Sequence, residues 1–313
     1  MKTQCALPSF QTQFKVTVIG AGNVGATAAY AMLLDGTPTE LVLLDRNKEK
    51  AEGIVLDMEH SMAFLDYTKV VGTDDYAAAR NSHLVVITAG ARQQEGETRL
   101  DLIKKNRAIM KDIAGKILKV APKAIFLVVS NPVDVLTYEF YKVSRLPWGR
   151  VFGSGTLLDT ARLRFHLSEQ LCLNAKSVEA FILGEHGDSS FPVWSSANVV
   201  GRPLMKMPGF SKKMANEAYK DTRDAAYRII HDVGYTCYSI GTVIKEIMVH
   251  VFQHSRVVLP LSVPLRGEYG LKDVALSVPC ILDSTGVSGV VEVPLSFLEK
   301  KQLKKSAAVL KSY

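Results

Sequence analysis

The sequence predicts an α/β protein, a doubly wound parallel sheet followed by a second, α+β domain. Short, almost wholly apolar, β-branched runs alternate with longer helix-like stretches through the first half of the chain. That is the pattern of parallel strands joined by crossover helices and covered on both faces. The first run ends in a glycine-rich turn that opens a helix. From about Gly153 the pattern changes to longer helices mixed with separated strands. At roughly 150 residues per domain, 313 residues suit two units, expected at 1–153 and 154–313.

Taken in order, the strands of the first unit are FKVTVIG (14–20), ELVLLD (40–45), HLVVITAG (83–90) and AIFLVVS (124–130). Helical patterns fill 23–34, 48–64, 100–120 and 133–143 between and after them. The stretch 91–99, ARQQEGETR, is polar and lacks any period. It reads as a long mobile loop at a strand's carboxyl end, where open α/β sheets bind ligands. In the second unit, helices are expected at 157–171 and 212–233, and strands near 177–183, 257–263 and 275–282. Apolar residues among the lysines of 294–313 predict an amphipathic terminal helix.

Composition excludes several classes. A chain that is 47% hydrophobic and 22% charged, with Gly 22, Pro 12 and Cys 4, is neither disordered nor a disulfide scaffold. The net charge of +7 is spread along the chain among 31 acidic residues, so nucleic-acid binding is not expected. Cys5, Cys172, Cys237 and Cys280 form no C-x-x-C pair; they read as reduced thiols with no metal site. The N-terminus lacks an apolar signal stretch, and no apolar run reaches the roughly 18 residues that span a bilayer. A cytoplasmic protein without membrane contact is expected.

Four motifs carry chemistry. Gly20-Ala21-Gly22-Asn23-Val24-Gly25 follows the first strand and opens a helix, and the second strand ends in Asp45, twenty residues past Gly25. This is the dinucleotide fingerprint. Gly20 permits the tight turn, Gly22 the approach of a pyrophosphate to the positive helix end, and Gly25 close helix–strand packing. Asp45 would bond a ribose 2′-hydroxyl and repel a 2′-phosphate, favouring NAD over NADP, although the following Arg46 softens that exclusion. Gly184-Glu185-His186-Gly187-Asp188-Ser189 follows an apolar strand, where the imidazole is either structural or catalytic. Asp159 and Arg162 share one helix face, either as an ion pair or as an imidazole partner and a carboxylate-binding fork. Ser130-Asn131-Pro132 closes a buried strand beside the expected nicotinamide position.

GAGNVG, VLLD, TAGARQQEGETRLDL, SNPVD, GSGTLLDTAR, GEHGDSSFPVWS, GYT and LSVPCIL occur in this order from Phe14 onward. Together they resemble the L-lactate dehydrogenase family within the lactate/malate dehydrogenase superfamily. The resemblance implies a Rossmann-type domain with a catalytic α+β domain, NADH as cofactor, pyruvate and L-lactate as substrates, and a homotetramer. It implies that His186 passes the proton, Asp159 fixes its tautomer, Arg162 binds the substrate carboxylate, and Arg99 swings in as the polar loop closes. Asn131 and Thr236 would line the substrate pocket. Gly20, Gly22, Val24, Gly25, Asp45, Lys50, Tyr76, Gly90, Ala91 and Asn131 match positions near the cofactor, and the helix near 237–252 is expected to pack back against the cofactor.

Substrate choice turns on Gln93, matched to an arginine in malate dehydrogenases. A neutral amide leaves a second substrate carboxylate without a counter-charge, which favours pyruvate. One departure stands out. Relatives activated by fructose 1,6-bisphosphate pair an arginine, matched by Arg164, with a histidine seven residues before the catalytic one. Here that position is Glu179, which would repel a phosphate. The competing readings are a malate dehydrogenase of this type, a metal-dependent NAD glycoside hydrolase and a non-catalytic scaffold. Gln93 opposes the first, the missing Cys/His metal cluster the second, and the presence of all four matched catalytic residues the third.

Overall fold

Alternation along the apolar strands sends successive side chains to opposite faces of the sheet. The computed structural model describes residues 13–91, 96 and 98–313, Arg99 by its backbone alone. In the chain's order, β1 is Lys15–Ile19, β2 Glu40–Leu44, β3 Lys69–Thr73, β4 Leu84–Ile87, β5 Ile125–Val128 and β6 Val151–Gly153. The intervening helices are α1, Asn23–Asp35; α2, Lys48–His60; α3, Arg99–Val120; and α4, Val133–Ser144. Val16, Val18, Leu84, Val86, Ile125 and Leu127 join one buried cluster; Ile19, Val85, Ile87, Phe126 and Val128 join another on the opposite face. Burial on both faces is why these runs contain almost no polar residues.

The second half contributes α5, Leu157–Leu171; α6, Lys212–Val233; α7, Tyr238–Phe252; and α8, Phe297–Lys311. Its strands are β7, Val178–Glu179; β8, Ile182–Leu183; β9, Phe191–Pro192; β10, Asn198–Val199; β11, Arg202–Pro203; β12, Val257–Arg266; β13, Lys272–Asp283; and β14, Gly286–Val290. Among the described residues, nine strands form one sheet in the order β14-β13-β12-β6-β5-β4-β1-β2-β3. The parallel part runs from β6 to β3, and β12 joins it antiparallel, with Ser262 opposite Gly153. The sheet therefore continues past the expected boundary near 153, which local patterning does not announce.

Other differences are local. The expected strand at 177–183 is two short strands, β7 and β8, in different small sheets. β3, β6 and β14 carry glycine or are only three residues long, so their apolar signal is short. The helix expected at 48–64 stops at His60 and continues as a single 3-10 turn. The terminal helix begins at Phe297, where Ser296 and Glu299 make a capping box. Helix α7 lies against α1; a Cβ on Gly241 would stand 2.8 Å from Thr27 Cγ2.

From β1 the connections run outward through β2 and β3; from β4 they run the other way through β5 and β6. The crevice at this reversal, beyond the carboxyl ends of β1 and β4, is where such sheets take ligands. Thr88 and Ala89 N–H both donate to Ile19 O at 2.9 Å, which holds the two strand ends together there. Among the described residues no helix is long and apolar enough to cross a membrane.

Candidate active site

On the β1 side of the crevice, Gly20 has φ +109°, and a Cβ there would come within 2.7 Å of Ala89 N. A Cβ on Gly25 would overlap Gly20 O at 1.8 Å, so α1 packs on the turn only with glycine at this position. Gly22 behaves differently. It caps α1 without a side-chain hydrogen bond, the first turn carries no acidic residue, and a Cβ on it would meet nothing within 4 Å. This leaves a positive helix end with open space above it, which fits a pyrophosphate. Asp45 stands at the same turn, its carboxylate accepting from Ala21 N at 2.6 Å and Asn47 N at 2.9 Å. The residues present thus fit a dinucleotide.

Tyr76 is half-buried near Asp45. Burial, then the charges of Asp112 and Asp45, push its phenol up to about 12, so it stays neutral. Gly90 and Ala91 extend from the end of β4. Lys50 is exposed in the first turn of α2, where Asn47 caps its backbone N–H at 2.9 Å.

Beside the crevice lies a cavity of about 320 Å³. Val24, Asn131, Asp159, Arg162, His186 and Thr236, all singled out in the sequence, line it together. Asp159 binds its two partners with different oxygens, His186 Nδ1 at 2.7 Å through Oδ2 and Arg162 Nη1 at 3.2 Å through Oδ1. Asp159 thus meets both groups at once. Burial disfavours the His186 cation, but the adjacent Asp159 carboxylate outweighs it and raises the imidazole to about 8. Burial opposes the Asp159 anion, but the same imidazole, with Arg162, holds the half-buried carboxyl below its ordinary range.

Three separate elements pin the backbone that carries His186. Gly184 exchanges hydrogen bonds with Ser277 of β13 at 3.0 and 2.9 Å. Glu185 N–H donates to Ser306 Oγ of α8 at 2.6 Å, and His186 N–H to Asp134 Oδ2 of α4 at 2.7 Å. Ser262 Oγ donates to the other Asp134 oxygen at 2.6 Å. Burial raises Asp134 to about 6, against the hydrogen bonds from Ser262 and His186. Sequence reading missed Asp134, Ser262, Ser277 and Ser306. Asp134 ends the SNPVD motif without a role assigned to it, and the serines carry no spacing signal.

Sequence reading also missed the wall supplied by α6, where Thr222, Arg223, Ala226, Tyr227 and Ile230 face the cavity. Asn131 Oδ1 accepts from Val133 N at 3.3 Å. That leaves its Nδ2 as a donor at the cavity edge. Arg99 is the first residue of α3, and Gln93 lies outside the described residues. Among the described residues no group of three or more His, Cys, Asp and Glu could hold a metal.

Residues 14–153 match the lactate/malate dehydrogenase NAD-binding domain, and residues 156–313 match the alpha/beta C-terminal domain of the same family. The chain is 42% identical over 303 residues to an L-lactate dehydrogenase of Thermoanaerobacter sp. (strain X514), covering 95% of this chain and 97% of that protein. It is 46% identical over 302 residues to the L-lactate dehydrogenase B-B chain of Danio rerio, covering 95% and 90%. Among solved structures, the minor L-lactate dehydrogenase from Enterococcus mundtii in its ligands-bound form superposes with a TM-score of 0.93 at 38% identity, covering 96% of this chain and 98% of that one.

Proposed function

The chain belongs to the lactate/malate dehydrogenase family and is an NAD-dependent enzyme interconverting pyruvate and L-lactate; we propose that His186, Asp159, Arg162, Asn131, Thr236, Arg99 and Gln93 carry that reaction. The supporting observation is one carboxylate, Asp159, that holds both an imidazole and a guanidinium at the wall of one cavity.

When bound, NADH supplies the hydride that adds to the carbonyl carbon of pyruvate. Gly20, Gly22, Val24 and Gly25 would cradle it with Asp45, and Tyr76, Gly90, Ala91 and Asn131 would border it. Lys50, exposed on α2, would reach only its outer edge. Arg162 anchors the pyruvate carboxylate through the donors Asp159 leaves unused. Its planar fork fixes the carbonyl relative to His186.

His186 Nδ1 is committed to Asp159, so Nε2 is the nitrogen that gives its proton to the carbonyl oxygen and takes it back in lactate oxidation. Asn131 Nδ2 donates to the same oxygen. Arg99, at the start of α3, adds positive charge as that oxygen becomes negative. Thr236, just before α7, closes the pocket. Gln93 leaves the methyl of pyruvate unchallenged and gives a second carboxylate no counter-charge.

The assembly is proposed to be a cytoplasmic homotetramer. Exposed Leu56 and Phe64, together with Val233 of α6, offer apolar faces for other copies to cover. Sedimentation of the purified chain at four times its monomer mass is the expected result.

Comparing kcat/KM for pyruvate and oxaloacetate, followed by NADH absorbance, tests the substrate assignment. A preference for pyruvate of at least about 100-fold, some 2.7 kcal/mol, is expected. A preference for oxaloacetate would retain the His186 chemistry but overturn the role of Gln93.

A further inference from the structure

Asn106 is a polar residue of α3 that is only 2% exposed, and its side-chain amide is fully used. Its Oδ1 accepts from Ala91 N at 2.7 Å, while Nδ2 donates to Asn131 O at 2.8 Å and to Ala91 O at 3.3 Å. Ala91 lies just past the end of β4, and Asn131 lies between β5 and α4. The two turns are also stitched by Ser130 Oγ, which donates to Ala89 O at 2.6 Å. The packing between them is close: a Cβ on Gly90 would lie 3.4 Å from Asn106 Oδ1 and 3.6 Å from Ser130 Cβ.

We propose that Asn106 is a positioning residue for the hydride-transfer reaction, holding the Asn131 main chain in register with the end of β4 so that the Asn131 amide meets the substrate oxygen. This rests on the reading of Asn131 as a substrate donor. The geometry is demanding. Asn131 Oδ1 is held by Val133 N–H, so the direction of its Nδ2 follows the main chain, and Asn106 grips that main chain at the adjacent carbonyl. A carboxylate at position 106 could accept from Ala91 N–H but could not donate to Asn131 O, and a leucine could do neither. Helix α3, which begins at Arg99, thereby sets the orientation of a substrate contact through Asn106, seven residues farther along it.

The test is a double-mutant cycle on the full chain, with Asn106→Asp and Asn131→Ala made singly and together. Thermal midpoints and NADH affinity by fluorescence titration are measured beside kcat/KM for pyruvate. Asn106→Asp is expected to lower kcat/KM at least about tenfold, with NADH affinity within about twofold of the parent. In the Asn131→Ala background the same substitution should change kcat/KM by less than about twofold. Multiplying losses would overturn the proposal, since a residue acting through Asn131 has nothing left to lose once that amide is gone. An Asn106→Asp enzyme as active as the parent would also overturn it. If Asn131→Ala alone leaves kcat/KM unchanged, the reading of Asn131 falls and this proposal falls with it. Should Asn106→Asp fail to fold, Asn106→Ser takes its place in the cycle, too short to span Ala91 and Asn131.

Discussion

The backbone N–H of His186, in the segment after β8, donates a 2.7 Å hydrogen bond to Oδ2 of Asp134, 52 residues earlier in the chain on α4. A buried carboxylate thus fixes the main chain of the proposed acid, while Asp159 fixes its ring. Burial raises Asp134 to about 6, so the fold holds this proton more tightly than the unfolded chain does. The stability it contributes is complete in strong acid and is lost as pH rises through about 6.

Asn at position 134 could accept from His186 N–H and donate to Ser262 Oγ without a buried charge. Asp134→Asn should therefore raise the thermal midpoint relative to wild type at pH 7.5 more than at pH 5, by a difference on the order of 1–3 kcal/mol. Asp134→Ala, which strands both partners, should lower the midpoint at both pH values. Thermal melts at the two pH values decide this, and an equal effect of Asp134→Asn at both would refute the charge argument.

Arg162 engages Asp159 with one nitrogen, Nη1, which leaves a planar array of donors for a carboxylate. Lysine keeps the charge but not the array. Arg162→Lys should lower kcat/KM for pyruvate roughly 10–100-fold, mainly through KM, as expected for losing 1.5–3 kcal/mol of charge-assisted hydrogen bonding. Steady-state kinetics separate the two constants; a loss confined to kcat would move Arg162 from binding to chemistry.

How much of this site is legible in the sequence depends on how local each signal is. The glycine turn and Asp45 are readable because strand, turn, helix and acid lie within one contiguous supersecondary unit. His186, Asp159 and Arg162 are readable only as residue types; their convergence comes from α5 and β8 meeting under the continuous sheet, a contact that no local period encodes. Asp134 and Asn106 are invisible for a sharper reason. Apart from Ser262 Oγ, which reaches Asp134 from a strand 128 residues on, their partners are main-chain groups at His186, Ala91 and Asn131, and a backbone N–H or carbonyl has no letter in the sequence. Strands β3 and β6 were missed because five or fewer residues interrupted or ended by glycine give too short an alternation.

Gly22 and Gly25 separate cofactor binding from folding. A methyl on Gly22 meets nothing within 4 Å, whereas one on Gly25 falls 1.8 Å from Gly20 O and 2.7 Å from Thr88 Oγ1. Gly22→Ala should melt within about 0.5 kcal/mol of wild type yet bind NADH at least tenfold more weakly, about 1.4 kcal/mol, its methyl filling the pyrophosphate's space. Gly25→Ala should be destabilised by about 1–3 kcal/mol through overpacking. Thermal melts and NADH titrations of both variants provide the check. Unchanged NADH affinity in Gly22→Ala would remove this turn from the cofactor site.

Arg164 Nε donates to Ala180 O at 3.0 Å, and the guanidinium lies over the Phe181 ring at 5.4 Å. Glu179 beside it accepts from Asn198 Nδ2 at 2.9 Å. A phosphate approaching Arg164 would meet this carboxylate. Added fructose 1,6-bisphosphate should therefore change kcat/KM for pyruvate by less than about twofold, under 0.5 kcal/mol. Activation of tenfold or more would refute the repulsion argument.

In the proposed mechanism the protonation state of His186 decides which direction of the reaction it can serve. Its imidazole is raised to about 8 because the Asp159 carboxylate overcomes the penalty of burial. Relative to its ordinary value of 6.5, the stability this pair contributes is complete below that pH and is lost as pH rises through about 8. Pyruvate reduction consumes the proton on Nε2, so its kcat/KM should be flat in acid and fall about tenfold per unit above pH 8. Lactate oxidation needs the neutral ring and should rise through the same value. Asp159→Asn keeps an oxygen for Nδ1–H but removes the charge. Burial and the now unbalanced Arg162 cation then both oppose protonation, and the reduction limb should move below pH 6.5, with kcat/KM at pH 7.5 down about tenfold or more. A variant whose limb stays near 8 would show that Asp159 orients the ring without setting its proton affinity.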